Sequence, residues 1–426
     1  MNKKTKISIA IVGILIISII FTFNRFNPNS EVENEPFVEE NRTDLVESYT
    51  EMPSERVDES RLISYIRTLV ETELFDLHGE QIGVMGENQT FTVLEVDEDG
   101  LIELSELPFY VHYDQIEVVE ELPVADKFDL DLSRYLAFEQ MIAQGSTVRF
   151  YHLDRTFAFQ LNAIEINLNI YMQVDDYFYI SYLDRYFLVV QDKVTLVEHP
   201  DVLPETTRIP VLMYHFFCNS AKGVECRDSN WLERDHFEAH MQHLYEHNFT
   251  SLKMIDLERF LNGNVRLPEQ SVVITIDDAH WSFFEHGYSI LAEFDQIATT
   301  FAITNHDRDW EALMLSEQLE FHSHTHDMHR GHCDEGRGGL MQCIDFDEGV
   351  TDLLLSRALL NDTTVFCYPF GDFNDHTRAL LEEAGFTMAF TTQNGLVTRG
   401  MDPLLLPRVR VSTDTHLPQF IHLISQ

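Results

Sequence analysis

Basic residues are scarce in this 426-residue chain, and their scarcity limits what the protein can bind. Lysine and arginine together number 29 against 72 aspartates and glutamates, a formal net charge of −43 at pH 7. Such a chain repels nucleic acid and anionic membrane surfaces, so we expect neither as a partner. It suits a salty environment or a cationic polymer, although a solvated acidic surface is the simplest interpretation. Hydrophobic residues make up 44% of the chain, which is normal for globular proteins, and the length predicts two or three domains.

The N-terminus lacks a small-x-small cleavage site after its apolar segment. Residues 7–23 carry no charge and follow a lysine-rich start, a pattern that indicates membrane targeting with the N-terminus inside the cell. We therefore expect an uncleaved signal anchor over residues 1–25, with secretion after cleavage as the alternative. Residues 26–58 are polar and acidic and predict a disordered spacer. In either case the folded part would lie outside the cytoplasm, in the first case as a single-pass extracellular domain.

Cysteine is absent from the N-terminal half of the chain. The five cysteines are Cys218, Cys226, Cys333, Cys343 and Cys367. Outside the cell, cysteines that are close in sequence form disulfides readily, so Cys218–Cys226 and Cys333–Cys343 are the economical pairs, although sequence alone does not fix the connectivity. Cys367 lies in an apolar, strand-like run and is expected to be a buried free thiol.

Residues 59–205 predict two small all-β modules, at 59–125 and 126–205. Apolar residues near helical spacing first suggest a short helix after Ser60, through Leu62, Ile63, Tyr65, Ile66, Leu69 and Val70. Alternating strand-like runs follow, and the ending at 109–120 is repeated at 187–198. The two copies look like bacterial Src-homology-3-like modules. The aromatic run at 177–182 could stack on sugar rings, but aromatic residues are also ordinary strand formers, and we favour that interpretation.

The last part of the chain, residues 206–426, predicts an α/β domain. Strand-like runs at 209–215, 271–276, 298–304, 365–368 and 388–391 alternate with helical runs at 237–247, 255–262, 287–294, 350–360 and 375–384. This alternation is typical of a parallel sheet, here a closed or nearly closed, deformed (β/α) barrel. Such a barrel gathers the carboxyl ends of its strands on one rim, where α/β enzymes place their chemistry.

Two stretches of this domain carry residues suited to metal chemistry. An apolar strand ends in Asp277 and Asp278, whose side chains would alternate, so that one could bind a metal and the other serve as a base. About 45 residues later, four histidines follow closely: His322, His324, His326 and His329. A carboxylate with two imidazoles is the usual ligand set of a catalytic zinc, but the spacing leaves open which histidines bind. His215 ends another strand and would matter only if the barrel brought it near Asp277.

These residues resemble the motifs of the polysaccharide deacetylases, the NodB-homology group of carbohydrate esterase family four. The stretches at 273–278 and 323–329 resemble their first two motifs. The spacing of five residues between His324 and His329 is similar to that of the poly-β-1,6-N-acetylglucosamine N-deacetylases of biofilm formation. The stretches at 210–215, 368–371 and 406–409 resemble further segments of these enzymes. The resemblance covers residues 208–424.

The resemblance implies a role for each matching residue. Asp277 would be the general base and His215 the general acid, while Asp278, His324 and His329 would hold a divalent metal whose bound water attacks the acetamide. A backbone N–H near Tyr368 would stabilise the oxyanion, and Arg408 would orient Asp277. Zinc is the first choice of metal, with cobalt, nickel or iron as alternatives. Two departures stand out, since Ala279 replaces a common glycine and residues 365–367 lack the arginine that often precedes the third motif.

The resemblance thus implies a metal-dependent hydrolase that removes acetyl groups from an extracellular N-acetylglucosamine polymer, with poly-β-1,6-N-acetylglucosamine favoured. Peptidoglycan or a chitin oligosaccharide is the alternative substrate. A polysaccharide synthase or export machinery would be a conceivable partner, alongside the membrane reached through the N-terminal helix. An alternative from another class is a non-catalytic protein that binds cell wall or polysaccharide, with an inert barrel.

Overall fold

A computed structural model describes most of the chain beyond its N-terminal segment. The described residues are 65–76, 78–96, 101–104, 109–119, 130–164, 167–182, 185–334 and 336–425. The anchor predicted at 1–25 and the spacer predicted at 26–58 lie outside them. Among the helices that are described, none has both the length and the apolar character needed to span a membrane.

The first β unit consists of short antiparallel strands. They are β1 (Tyr65–Thr68), β2 (Thr72–Phe75), β3 (Gln81–Met85), β4 (Thr90–Val96), β5 (Leu101–Leu104), β6 (Tyr110–His112) and β7 (Ile116–Val119). The helix predicted after Ser60 is wrong where the structure describes it, because β1 pairs with β4 and β7 instead. Ile66 and Thr68 are buried while Arg67 between them is exposed. This period of two is the strand pattern, which short apolar runs do not distinguish from a helix.

The second β unit repeats the ending of the first. Its strands are β8 (Gln140–Tyr151), β9 (Phe157–Ile164), β10 (Leu168–Val174), β11 (Tyr177–Tyr182), β12 (Arg185–Val190) and β13 (Thr195–Glu198). A 3-10 turn joins β12 to β13, just as one joins β6 to β7, so the repeat seen in the sequence is a repeat of structure. Pairing of β3 with β9 joins both units into one sheet. Their likeness to Src-homology-3 modules stays a prediction.

The C-terminal part contains the predicted parallel barrel. Its strands are β14 (Val211–Tyr214), β15 (Phe216–Cys218), β16 (Trp231–Glu233), β17 (Thr250–Ser251), β18 (Ser271–Asp278), β19 (Ala298–Ala302), β20 (Leu319–Ser323), β21 (Val365–Cys367), β22 (Met388–Asn394) and β23 (Leu406–Arg410). The order β14-β23-β22-β21-β20-β19-β18 closes on itself, because β14 also pairs with β18. All these pairs are parallel, so the carboxyl ends of the strands meet at one end of the barrel.

Helices pack around this barrel, and each predicted helical run overlaps at least one of them. They are α1 (Arg234–Glu246), α2 (Met254–Leu261), α3 (Trp281–His286), α4 (Tyr288–Glu293), α5 (Trp310–Leu313), α6 (Phe346–Leu359), α7 (Asp375–Glu383) and α8 (Leu417–Ile424). Buried side chains of α2, Met254, Leu257 and Phe260, share a hydrophobic cluster with the strand residues Val211 and Val273. Because Val211 and Val273 lie early in their strands, α2 packs against the amino-terminal end of the barrel.

The second β unit contacts this same end. Leu136 bridges to Arg266 and Met172 to Val265, just before β18 begins. Tyr179 and Tyr186 pack against the cluster that contains α2. The aromatic residues of the second unit thus serve packing, as favoured from the sequence. Both predicted disulfides are present, and Cys367 is a buried free thiol.

Candidate active site

The carboxyl ends of the barrel strands bring the predicted site residues together. His215 follows β14, Asp277 and Asp278 end β18, His324 follows β20, and Tyr368 follows β21. With His329, they line one cavity of about 250 Å³. Arg408, on β23, lies behind Asp277 and is fully buried. Residues that are up to about 190 positions apart in sequence therefore meet because every strand of the barrel runs in the same direction.

Three side chains form a group suited to a metal ion. Oδ1 of Asp278 lies 3.5 Å from Nε2 of His324 and 3.5 Å from Nε2 of His329. All three candidate ligand atoms lie within 4.8 Å of one another. The other two histidines of the segment have different partners, since Nδ1 of His322 contacts Thr363 and Nδ1 of His326 contacts Thr304. The structure thus selects two histidines out of the four that the sequence offered.

The chemistry of this group fits a divalent cation. Oδ1 of Asp278 is buried and has no hydrogen-bond partner among the described residues. Nδ1 of His324 lies 2.7 Å from the carbonyl oxygen of Cys367, so it carries the proton and leaves the lone pair of Nε2 directed at Asp278. Burial lowers the pKa of His324 to about 3, which keeps the imidazole neutral. Burial, and then the neighbouring Asp277, raise the pKa of Asp278 to about 7 in the absence of a cation. A cation would offset both unfavourable terms.

Asp277 has an entirely different environment from its neighbour. Its two oxygens accept hydrogen bonds from the guanidinium of Arg408, at 2.7 and 2.8 Å. Burial opposes ionisation, but the charge and the hydrogen bonds of Arg408 prevail and hold the pKa of Asp277 below its usual range. Arg408 is fixed in turn by the Thr391 carbonyl and the Thr275 hydroxyl. Nη2 of Arg408 also lies 3.1 Å from Sγ of Cys367, in the segment that lacks the arginine preceding the third motif.

His215 also lies beside Asp277. Its Nε2 is 3.6 Å from Oδ2 of Asp277, and its Nδ1 is buried without a hydrogen-bond partner among the described residues. Burial lowers the pKa of His215, while Asp277 acts in the other direction. The imidazole is therefore placed to exchange a proton with a group in the cavity.

Tyr368 contributes to the cavity in a different way from the one expected. Its backbone N–H donates to the carbonyl of Phe390 at 3.0 Å, so this N–H is not available to an oxyanion. This hydrogen bond continues the pairing of β21 with β22 one residue beyond Cys367, where β21 ends. The buried Tyr368 hydroxyl has no hydrogen-bond partner within the described residues. The residue thus forms part of the cavity wall.

The backbone around the cavity is strained. Non-glycine residues with positive φ cluster here: Asp278 (70°), Ala279 (47°), Thr325 (75°) and Phe370 (59°). Each such conformation costs on the order of 1–2 kcal/mol and persists only where the surroundings enforce it. Phe370 stacks on the imidazole of His329, with ring centroids 4.5 Å apart. A side chain at Gly371 would collide with Thr392, which explains the glycine at that position.

Some positioning residues gave no signal in the sequence. Asp352, on α6, accepts hydrogen bonds from the backbone N–H groups of His326 and Asp327, at 2.8 and 2.7 Å, and so holds the loop that presents His329. Arg337 donates to the carbonyl of Phe370 at 2.8 Å. Both residues lie in segments that match no motif. Their separation along the chain from the loops that they hold follows no fixed spacing. Only the folded chain identifies them.

Comparison with known proteins agrees with this geometry. Residues 264–389 match the polysaccharide deacetylase family. The Bacillus subtilis protein YxkH, named as a polysaccharide deacetylase, is 27% identical over 212 residues, 48% of this chain and 72% of its own. A poly-β-1,6-N-acetyl-D-glucosamine N-deacetylase of Staphylococcus aureus is 26% identical over 230 residues, 50% of this chain and 76% of its own.

Among solved structures, IcaB from Ammonifex degensii aligns with a TM-score of 0.45 at 22% identity, over 52% of this chain and 99% of its own. The family match spans the strand that ends in Asp277 and Asp278 and the segment that presents His324 and His329. On this match and these relatives, the chain contains a polysaccharide deacetylase domain, which indicates an enzyme.

Proposed function

We propose that this protein is a metal-dependent N-deacetylase that acts on N-acetylglucosamine units of an extracellular polysaccharide. One observation carries the proposal: the group Asp278, His324 and His329 lies in the same cavity as the Asp277–Arg408 pair and His215. Amide hydrolysis needs a base for water, an acid for the leaving nitrogen and a centre that polarises the carbonyl. Poly-β-1,6-N-acetylglucosamine is the favoured polymer, supported by the names of the Staphylococcus aureus relatives.

Asp278, His324 and His329 would hold the metal. Two imidazole nitrogens and one carboxylate are the donor set that zinc takes in hydrolases, with the remaining position open. When bound, the ion supplies Lewis-acid polarisation of the acetyl carbonyl and lowers the pKa of water. The hydrogen bond from His324 to the Cys367 carbonyl and the stacking of Phe370 on His329 would fix the orientation of both imidazoles.

Asp277 would take the proton from the attacking water. Arg408 keeps this carboxylate ionised and orients both of its oxygens, so it is ready to accept a proton at every pH near neutrality. Its low pKa makes it a weak base, which suffices only because the water has been made more acidic in this site.

His215 would donate a proton to the leaving nitrogen as the C–N bond breaks. The products are acetate and a glucosamine unit, whose amine takes up a further proton from solvent near neutral pH. The distance of 3.6 Å between His215 and Asp277 places acid and base around one small reacting group. Asp277 favours the protonated form of the imidazole, against burial, as a general acid requires.

The extracellular location is part of the proposal. It is supported by the apolar segment at 7–23 and by the disulfides Cys218–Cys226 and Cys333–Cys343, which persist in oxidising compartments. An N-terminal anchor would hold the enzyme at the membrane where polymer emerges. A polysaccharide synthase or export complex would be its neighbour there.

Acetate release tests this function. The purified chain, supplied with zinc or cobalt, is given β-1,6-linked and β-1,4-linked N-acetylglucosamine oligomers, with Asp277→Asn as the inactive control. Release from the 1,6 series alone is the expected result. Release from the 1,4 series alone would redirect the enzyme to peptidoglycan or chitin. If neither released acetate from a protein shown to hold metal, the proposed activity would be wrong.

A further inference from the structure

The arginines of this acidic protein divide into two groups by their partners. Across the described residues, a carboxylate lies within 4.0 Å of most guanidinium groups that are distant from the cavity, among them Arg67, Arg134, Arg155, Arg234, Arg266, Arg378 and Arg399. Others distant from it bind neutral groups, as Arg357 does with backbone carbonyls. With 72 acidic residues against 29 basic ones, pairing with a carboxylate is the expected state of an arginine.

Four arginines around the mouth of the cavity do not follow this pattern. Within the described part of the chain, no salt bridge joins any of them to a carboxylate. We call Arg227, Arg308, Arg337 and Arg410 the arginine band. Arg149 and Arg259, like Arg357, also bond to neutral groups, so what distinguishes the arginine band is that two of its members line the cavity itself.

Two members of the band line the cavity itself. Arg410 and Arg337 both line it and are both exposed. Arg410 lies on the side of His215 and is anchored by the side chains of Ser229 and Asn230. Arg337 lies on the side of His329, where it donates to the carbonyl of Phe370, the residue stacked on that imidazole. A group entering the cavity would pass between two positive charges.

The other two members extend the band along an aromatic surface. The guanidinium of Arg227 lies 5.0 Å from the ring centroid of Trp231, and Trp231 contacts Phe216 at the cavity wall. Arg308 lies 4.9 Å from the ring of Phe284. Both arginines act on the pKa of His280, which burial and then Arg308 and Arg227 lower, so both lie near this imidazole. Stacking on rings holds a guanidinium in place without neutralising its charge.

Carboxylates near the band are engaged elsewhere. Asp228 accepts from the backbone N–H of Asn230, and Glu233 accepts from Ser220. Asp372 accepts from the backbone N–H of Arg337, and Asp309 caps α5 by accepting from Ala312. These carboxylates stabilise turns and the start of a helix rather than neutralising the arginine side chains. The guanidinium groups remain open to a ligand.

We propose that the arginine band binds anionic groups of the polysaccharide, so that the substrate carries carboxylate or phosphate groups on sugars that flank the N-acetylglucosamine to be deacetylated. This inference rests on the proposed deacetylase function, and it changes the favoured substrate from a neutral N-acetylglucosamine polymer to one that carries acidic substituents. A sugar ring would lie against the half-buried Phe216, while acidic groups of the flanking sugars reach Arg227 and Arg410. Guanidinium groups form strong, directional hydrogen bonds with carboxylate and phosphate oxygens.

The same charges would favour departure of the product. Deacetylation turns a neutral amide into a primary amine that is protonated near neutral pH, while the acetyl group leaves as acetate. The new ammonium lies between Arg337 and Arg410 and is repelled by both. A neutral substrate would gain nothing from the band, and a polymer that becomes cationic would be bound less well after each turnover.

Matched oligomers test the substrate class. The full chain with zinc is assayed on a neutral N-acetylglucosamine tetramer and on tetramers of the same linkage whose flanking sugars carry a C6 carboxylate or a C6 phosphate. We expect kcat/KM about tenfold or more higher on the charged oligomers. The carboxylate and phosphate arms show which anion is preferred. Equal rates on all three, or faster reaction of the neutral oligomer, would overturn the inference while leaving the deacetylase function intact; no acetate from any of them would remove the function itself.

Charge-neutral variants test the residues. Arg410→Gln and Arg227→Gln should each lower the preference for charged oligomers, measured as kcat/KM on the preferred charged oligomer divided by kcat/KM on the neutral one, by about tenfold. Arg155→Gln is the matched control, since it removes the same charge from an exposed arginine paired with Asp175 on the second β unit. Loss of activity on charged and neutral oligomers alike would show a structural role and contradict the assignment. Arg337→Lys, which keeps the charge, should retain the preference for charged oligomers.

Discussion

The two ends of the barrel each bury an aspartate, and the two carboxylates are treated differently. At the amino-terminal end, Asp256 on α2 accepts hydrogen bonds from the Tyr135 hydroxyl at 2.6 Å, from Arg134 and from the backbone N–H of Lys253. At the carboxyl end, Asp278 has a buried oxygen with no hydrogen-bond partner among the described residues. Buried polar groups without partners cost on the order of 1–3 kcal/mol and need a reason.

The difference distinguishes Asp256, which stabilises the fold, from Asp278, which belongs to the candidate active site. Asp256 joins the second β unit to the barrel, and its partners come from both. Around Asp278, the backbone adopts positive φ, and Nε2 of each of two imidazoles lies 3.5 Å from the open oxygen. Strain and unmet polar groups accumulate at functional sites, where a ligand is to complete them. The buried carboxylate at the amino-terminal end of the barrel is therefore hydrogen-bonded, whereas the one at the carboxyl end keeps an oxygen without a partner among the described residues.

The largest expected effect comes from one substitution made at each end. Asp277→Asn should lower turnover by about 10³-fold or more while the protein keeps its metal, because only the base is lost. It also leaves Arg408 buried without its counter-charge, which costs about 3–5 kcal/mol, so folding must be checked by urea unfolding. Acetate release per bound metal is the measurement.

Asp256→Asn is the control at the amino-terminal end. It should lower the free energy of unfolding by about 1–3 kcal/mol and leave kcat within about twofold, because Tyr135 and Arg134 are far from the chemistry. Equal loss of turnover in both variants would mean that the site depends on the whole barrel, and the contrast between its ends would fail.

The second effect concerns metal affinity. His329→Ala should weaken metal binding by more than about 100-fold, beyond the range seen for outer-shell partners, and should abolish turnover with it. His326→Ala, three residues away on the same loop but outside the ligand group, should keep both. Isothermal titration with zinc distinguishes them. Comparable affinities in the two variants would mean that the wrong histidines have been assigned.

The sequence allowed the barrel and most of this site to be predicted, for a physical reason. Apolar runs that end in Asp277 and Asp278 or in His215 place chemistry at strand ends, and parallel strands must bring such ends together. Spacing alone left the choice among four histidines open, because it depends on how the loop after β20 turns, and only the family resemblance pointed to His324 and His329. Strand β23 was not foreseen as a strand, since Pro407 lowers strand propensity.

Residues that contact the site from distant parts of the chain were also hard to predict from the sequence. Arg408 could be suspected only through a family resemblance, and Asp352 not at all, because each acts on a segment that is distant along the chain. The short β1 was taken for a helix because a four-residue strand contains too few residues to show its period. Predictions failed where contacts, rather than patterns, decide the structure.

The third effect is a pH dependence that distinguishes the two ends. In the metal-free protein the pKa of Asp278 is raised to about 7, against about 3.9 for an unfolded aspartate. Between these values the folded state binds the extra proton, so the Asp278 contribution to stability falls as pH rises from about 4 to about 7, by at most about 1.4 kcal/mol per pH unit.

Urea unfolding with a chelator, at several pH values in this window, measures that slope. Asp278→Asn should remove this component, and Asp256→Asn should leave it. Saturating zinc should remove it as well, because the ligand must be ionised to bind. An unchanged slope in Asp278→Asn would show that the carboxylate is ionised throughout and that the site is less desolvated than its burial indicates.

The smallest effect compares backbone strain at the two ends. Ala279 has φ of 47° beside the site, whereas Gly263 has φ of 73° near the second β unit, with open space where a side chain would stand. Gly263→Ala should destabilise the protein by about 1 kcal/mol, because only the backbone conformation is unfavourable. Ala279→Gly relieves similar strain, which stabilises the folded state. It also raises the conformational entropy of the unfolded chain and removes a buried methyl group, and both changes are destabilising. These terms nearly cancel, so stability should change by less than about 1 kcal/mol. If the strain at Ala279 positions Asp278, zinc affinity should fall in Ala279→Gly while stability hardly changes; unaltered affinity would show that the open oxygen of Asp278 is held by β18 alone.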